Sequence, residues 1–180
     1  VAESRREIAP EKTIFNLLGP LTNPARAKKQ LIGVYSESLM EIVAETLINL
    51  GTERAMVIHS YDGMDEISIY DKTHVIEINN SEIKRYDIDP SDYFSCSSSM
   101  SSIVVNDANQ SLAMMMSVLK NEDTAARMIS LINAATLVYI SGKSESISDG
   151  IEICKDALET NSAYDKLNQL IELTNSFKEC

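Results

Sequence analysis

Residues 30–59 run strand, helix, strand, and that order leaves few folds open. Gln30 to Tyr35 reads as a strand. Ser38-Leu39-Met40-Glu41 has the spacing of a capping box, in which a serine and a glutamate three residues on satisfy each other's backbone N–H groups. It is expected to open a helix carrying Ile42, Val43, Leu47, Ile48 and Leu50. Gly51 stands where a helix ends on a left-handed residue. Arg54 to His59 is a second apolar run of the buried-strand type. Strand, helix, strand at this spacing is a βαβ unit, a parallel pair joined by a right-handed crossover. The expected class is therefore α/β: a mixed β-sheet with helices packed on it.

The rest of the chain fits one such domain, with no Gly/Ser linker, repeat or low-complexity segment to divide residues 1–180. Val1 to Ala9 has a helical composition that Pro10 stops. Three short strands are expected at Ile67–Asp71, His74–Ile78 and Ile83–Tyr86, an antiparallel meander with turns at Asp71-Lys72-Thr73 and Asn79-Asn80-Ser81. Ser95 to Ser102 is serine-rich and reads as a mobile loop. Helices are expected near Asn109–Leu119, Thr124–Ser141, Ile147–Glu159 and Ala163–Phe177.

The formal net charge of −11 disfavours nucleic acid and anionic lipid as partners. Cys96, Cys154 and Cys180 form neither a metal-ligand pattern nor a disulfide framework, so reduced thiols and a cytoplasmic location are expected. The longest apolar run, Leu131 to Ile140, is too short to span a bilayer. The chain opens on valine and has no basic, apolar leader, which suggests a truncated piece of a protein that is not secreted.

Two stretches carry chemistry. Thr13-Ile14-Phe15-Asn16-Leu17-Leu18-Gly19-Pro20-Leu21-Thr22-Asn23-Pro24-Ala25 is apolar and turns on Gly-Pro. It reads as a buried loop, with Asn16 and Asn23 bonding the loop itself. Gly19-Pro20 would make a rigid wall, poor in side chains, for a flat ring to lie against. The second is Val57-Ile58-His59-Ser60-Tyr61-Asp62-Gly63-Met64-Asp65-Glu66-Ile67-Ser68. Here Asp65 and Glu66 follow the carboxyl end of a parallel strand, where α/β proteins bind ligands. Adjacent carboxylates there can share a hard cation. Asp62 is assigned to shaping the turn, and His59 to a buried, hydrogen-bonded position rather than to a base. His74 shows no evident partner. Met114-Met115-Met116 cannot converge on a metal from consecutive helix positions, so core packing is expected.

In this order the two stretches closely resemble the signatures of anthranilate phosphoribosyltransferase, of the nucleoside phosphorylase-like class. The resemblance implies transfer of a phosphoribosyl group from phosphoribosyl pyrophosphate to anthranilate in tryptophan biosynthesis. It implies Mg2+ on Asp65 and Glu66, and anthranilate against Gly19 and Pro20. The family places an arginine for the anthranilate carboxylate upstream of Thr13. Counting back without a gap from Gly19 selects Arg6, while aligning the Arg-Glu-Ile text selects Arg5. Ile132-Asn133-Ala134-Ala135 also matches a family segment, in which small residues allow close helix packing and Asn133 is structural.

Other family features do not occur in these 180 residues: the glycine-rich Gly-Thr-Gly-Gly-Asp loop, the Lys-His-Gly-Asn segment and the amino-terminal helical domain with its dimer contact. The six glycines are too scattered to build a phosphate cradle in one loop. The expectation is thus a catalytic domain truncated on its amino-terminal side, inactive alone and prone to self-association, from an enzyme that is a homodimer when intact. Pyrimidine nucleoside phosphorylase is a rival on the same fold, but the Gly-Pro-Leu-Thr-Asn-Pro and Asp-Gly-Met-Asp-Glu segments fit it less well. A non-catalytic paralogue that contacts nucleic acid should be basic, and this chain is acidic.

Overall fold

The structure, a computed structural model, describes residues 15–95 and 99–177; the expected helix of residues 1–9 lies outside them. Its centre is one sheet of four strands in sequential order: β1 (Lys29–Gly33), β2 (Arg54–Ser60), β3 (Thr73–Asn79) and β4 (Glu82–Ile88). β1 and β2 are parallel, with Gly33 opposite Ile58, while β2–β3 and β3–β4 are antiparallel, with His59 opposite His74. The turn between β3 and β4 puts Asn80 and Ser81 at φ 49° and 72°, the left-handed geometry that closes a two-residue hairpin.

Helix α1 spans Phe15–Leu21, and α2, Met40–Asn49, crosses from β1 to β2. After the sheet come α3 (Ala108–Leu119), α4 (Ala125–Ser141), α5 (Ile147–Glu159) and α6 (Ser162–Ser176). Side chains set the starts of three of these. Asp107, Thr124 and Ser146 accept hydrogen bonds from the backbone N–H of Gln110, Arg127 and Asp149, the ordinary N-cap arrangement. Gly142 closes α4 at φ 80°.

Alternation along the strands sends residues to two cores. Met56, Ile58 and Val75 pack with Ile132, Ala135 and Ile140 of α4 and with Ile147 and Ile151 of α5. Ala55, Val57, Ile76 and Ile78 pack with Met40, Val43, Ala44 and Leu47 of α2. α5 lies close on α4 because Gly150 has no side chain: a Cβ there would meet the Ala135 carbonyl oxygen at 2.6 Å. The small residues of the Asn133 segment therefore pack as expected.

Four readings change. Ser38 does not cap α2. It lies in a 3-10 turn, Glu37–Leu39, with its hydroxyl on Ser36, while Glu41 leaves the cap for a two-point ion pair with Arg85 at 2.7 and 2.9 Å. Ile67–Asp71 is not a strand, because its backbone groups bond to side chains instead of to a neighbouring strand; the meander is β2, β3 and β4. Over its described residues the Gly-Pro stretch is not a buried loop. Phe15–Leu21 is helical, with Gly19 and Pro20 exposed, and Leu17 and Leu21 pack on the α2 core; Thr13 and Ile14 lie outside the described residues. Met114, Met115 and Met116 are not core, since α3 has no buried residue. In the serine-rich segment, residues 100–103 form a 3-10 turn, and Tyr70 and Ser102 share a hydroxyl–hydroxyl bond of 2.9 Å. No helix among the described residues is long and apolar enough to cross a membrane.

Candidate functional site

The carboxyl ends of β1 and β2 lie side by side, and the chain that follows β2 folds back across them. The Ser60 carbonyl accepts from Gly63 N–H at 2.9 Å, and Ser60 N–H donates to the Met64 carbonyl at 2.9 Å. Gly63 takes φ 90°, which a side chain would strain. Asp62 holds this turn together as expected. One carboxylate oxygen accepts from Met64 N–H at 3.2 Å, and the other accepts from the Ser68 hydroxyl at 2.5 Å.

Asp65 and Glu66 are both exposed at the crest of this fold-back. Two contacts fix the backbone under them. On one side Asp65 sits flush on Gly33 at the end of β1. On the other, Ile67 is fully buried, and its peptide groups are held by Asn133 of α4. Ile67 N–H donates to Asn133 Oδ1 at 3.0 Å, and Asn133 Nδ2 donates to the Ile67 carbonyl at 2.9 Å. Ser68 adds a third anchor, with its N–H on Thr73 Oγ1 at 3.1 Å and its hydroxyl accepting from Tyr70 N–H at 2.9 Å. The packing around Glu66 pushes its carboxyl above the ordinary range, and the neighbouring charge of Asp65 adds to that. Two like charges held together this way are eased by a cation.

His59 is half-buried and its Nδ1–H donates to the Val34 carbonyl at 2.8 Å, tying the ends of the two parallel strands together. His74 does have partners, contrary to the sequence reading. Its Nδ1 lies 2.9 Å from Asp87 Oδ1, its Nε2 lies 3.8 Å from Glu37, and its ring stacks on Tyr61 at 4.1 Å. Those partners come from the strand and turns that face His74 across the sheet, a pairing that local sequence does not display.

The remaining candidates stand apart from the acidic pair in the chain. Gly19 and Pro20 are on α1, and Arg5 and Arg6 lie outside the described residues. Asn23 bonds its own loop, accepting from Ala25 N–H at 2.9 Å. Among the described residues no three His, Cys, Asp or Glu side chains gather as a metal cluster. Two adjacent exposed carboxylates are nevertheless of the donor type that suits a hard, oxygen-bound cation. Gly33 escaped the sequence reading, its signal being a glycine at the end of an apolar run; Ser68 lies inside the second stretch but has no role assigned there.

The chain matches the glycosyl transferase family, a/b domain, over residues 1–164. It is 41% identical over 174 residues to the anthranilate phosphoribosyltransferase of Nitrosomonas eutropha, covering 97% of this chain and 51% of that protein. It is 40% identical over 177 residues to that of Alkaliphilus metalliredigens, covering 98% and 52%. The chain thus spans about half the length of the curated relatives it matches. Among solved structures, anthranilate phosphoribosyltransferase from Thermus thermophilus superposes with a TM-score of 0.82 at 29% identity, over 94% of this chain and 50% of that one. The Saccharomyces cerevisiae structure in complex with PRPP and Mg superposes with a TM-score of 0.81 at 22% identity, over 97% and 50%.

Proposed function

This chain belongs to the glycosyl transferase family through its a/b domain, and on that footing we propose that it is the carboxy-terminal α/β unit of an anthranilate phosphoribosyltransferase. The reaction would be anthranilate plus phosphoribosyl pyrophosphate giving phosphoribosyl-anthranilate and pyrophosphate. One observation carries the reading: 41% identity to a protein of that name across 97% of this chain, with the Asp65–Glu66 pair at the carboxyl end of the parallel strands.

In this reading Asp65 and Glu66 hold Mg2+, which neutralises the departing diphosphate when bound. The chain's own part is positioning. The Gly33 contact and the Asp62–Ser68 bond hold the backbone that carries the two carboxylates beside the strand ends. The transition state is expected to be oxocarbenium-like, and the aryl amine needs little help from a base, so catalysis rests mainly on a fixed geometry. His59 keeps its Nδ1 proton engaged on Val34, which suits a structural role. Anthranilate would lie against Gly19 and Pro20, with its carboxylate on Arg6 or Arg5. The unit would act in the cytoplasm, as part of a longer chain that supplies the phosphate-binding loop.

The test is a transfer assay with anthranilate, phosphoribosyl pyrophosphate and Mg2+, following loss of anthranilate fluorescence. It is run on the 180-residue chain and on a chimera in which this chain replaces the matching half of the Nitrosomonas eutropha relative. Turnover by the chimera and none by the chain alone supports the reading. A folded chimera without turnover overturns it.

A further inference from the structure

We propose that Asn133 is a positioning residue for the Asp65–Glu66 pair, clamping the backbone next to it so that both carboxylates stand where one cation can meet them. The inference rests on the reading of the pair as a divalent-cation site. Ile67, the residue after Glu66, belongs to no strand, so its peptide N–H and carbonyl have no ladder to join. Its side chain is nevertheless fully buried in the core shared with α4. The Asn133 carboxamide takes the place of a neighbouring strand. It accepts from Ile67 N–H at 3.0 Å and donates to Ile67 O at 2.9 Å. Its second Nδ2 proton goes to the Ile129 carbonyl at 2.9 Å, one turn back on α4. That third bond helps fix the carboxamide's orientation from α4 itself, and it leaves no amide proton unused.

The clamp works on the pair because the other side is already fixed. Asp65 cannot shift toward β1, where Gly33 touches its carbonyl. With Ile67 held as well, the two peptide units that carry the carboxylates are strung between rigid points. The bond runs from the long helix α4 to the crest of the site and touches neither carboxylate. Its loss should therefore change cation affinity without changing the donor set. Partners that orient metal ligands from outside commonly contribute about 10–100-fold in affinity.

The experiment uses the 180-residue chain, Mn2+ as the probe and inorganic pyrophosphate as its co-ligand. Binding is read by electron paramagnetic resonance and by broadening of the Asp65 and Glu66 amide signals. Hydrogen exchange at the Ile67 amide and thermal unfolding are recorded alongside. Asn133→Leu keeps the approximate shape and removes all three bonds, the two to Ile67 and the one to Ile129. It is expected to weaken Mn2+–pyrophosphate binding about tenfold or more and to speed exchange at Ile67, with a cooperative melt retained. If Asn133→Leu does not fold, Asn133→Asp decides in its place, since it keeps size and acceptor but loses the donor. Unchanged Mn2+ affinity in a folded variant overturns the proposal and leaves the cation reading intact. If the parent chain shows no Mn2+ binding that Asp65→Asn/Glu66→Gln abolishes, the cation reading itself fails and the proposal falls with it.

Discussion

The Asp65 carbonyl lies so close to Gly33 that a β-carbon built on the glycine would overlap its oxygen. The obstacle is backbone on both sides, so no rotamer change relieves it. Gly33→Ala must push the fold-back away from the end of β1 or bend the strand. We expect a loss of about 1–3 kcal/mol, the ordinary cost of forcing atoms into a packed contact, measured by urea unfolding. The acidic pair should move with its backbone, so cation binding should weaken in the same variant. An alanine chain as stable as its parent would mean the two backbones separate readily.

Glu66 gives a pH signature. Its carboxyl is raised above its ordinary 4.5, first by the packing around it and then by the charge of Asp65. The folded chain therefore holds that proton more tightly than the unfolded chain. The charged form works against folding at neutral pH, and that cost disappears as pH falls through the raised value toward 4.5. Glu66→Gln should accordingly raise the melting temperature at about pH 7 and leave it little changed near about pH 4. Cation binding should run the opposite way, weakening as pH falls through the same window. Thermal melts of both chains across that range decide it; a glutamine variant less stable at neutral pH would reverse the sign.

Away from the acidic pair, Glu77 of β3 is buried. It accepts from the Tyr86 and Tyr139 hydroxyls, both at 2.9 Å, and pairs with Arg54 at 3.7 Å, whose guanidinium also covers the Tyr139 ring at 4.2 Å. Burial, ahead of the Glu77 charge, holds both tyrosines above their ordinary range. Glu77→Ala would remove the acceptor of both hydroxyls and the partner of a half-buried guanidinium. A loss of about 1–3 kcal/mol is expected from denaturant unfolding. Mn2+ affinity per folded molecule should change little, because the hydrogen bonds and ion pair of this network join Glu77 to Tyr86, Tyr139 and Arg54 and not to the fold-back.

How far the sequence carried the fold depends on how local each cause is. Helices α4, α5 and α6 were legible because periodicity and caps such as Thr124 and Ser146 lie within a few residues of one another. The parallel β1–β2 pair followed from the βαβ spacing. Ile67–Asp71 misled because its β-branched residues suit a strand, while its true partner, Asn133, is 66 residues away. The Ser38 cap failed for a similar reason: Glu41 found Arg85, 44 residues on. Asp65 and Glu66 stand out by the resemblance of the motif around them, together with their place after a strand. Gly33 does not, since only the folded chain brings it against Asp65.

The acidic pair itself supplies the sharpest prediction. Asp65→Asn with Glu66→Gln keeps the shape of both side chains and removes both charges. The two residues are exposed, and the turn beneath them is held by Asp62, Ser68 and Asn133 rather than by their carboxylates. The double variant should therefore fold, and circular dichroism should match the parent. In the chimera, the residues at 65 and 66 would hold Mg2+ less firmly, and the charge it would neutralise on the leaving diphosphate would be less well met. If the two charges together supply about 3–5 kcal/mol of transition-state stabilisation, turnover should fall about 10²–10⁴-fold. The Mg2+ needed for half-maximal rate should rise as well. Steady-state kinetics across a Mg2+ titration reads both quantities. Near-parental turnover with unchanged Mg2+ dependence would make the pair ordinary surface charge. Loss of folding would instead show that the carboxylates help hold the crest of the fold-back.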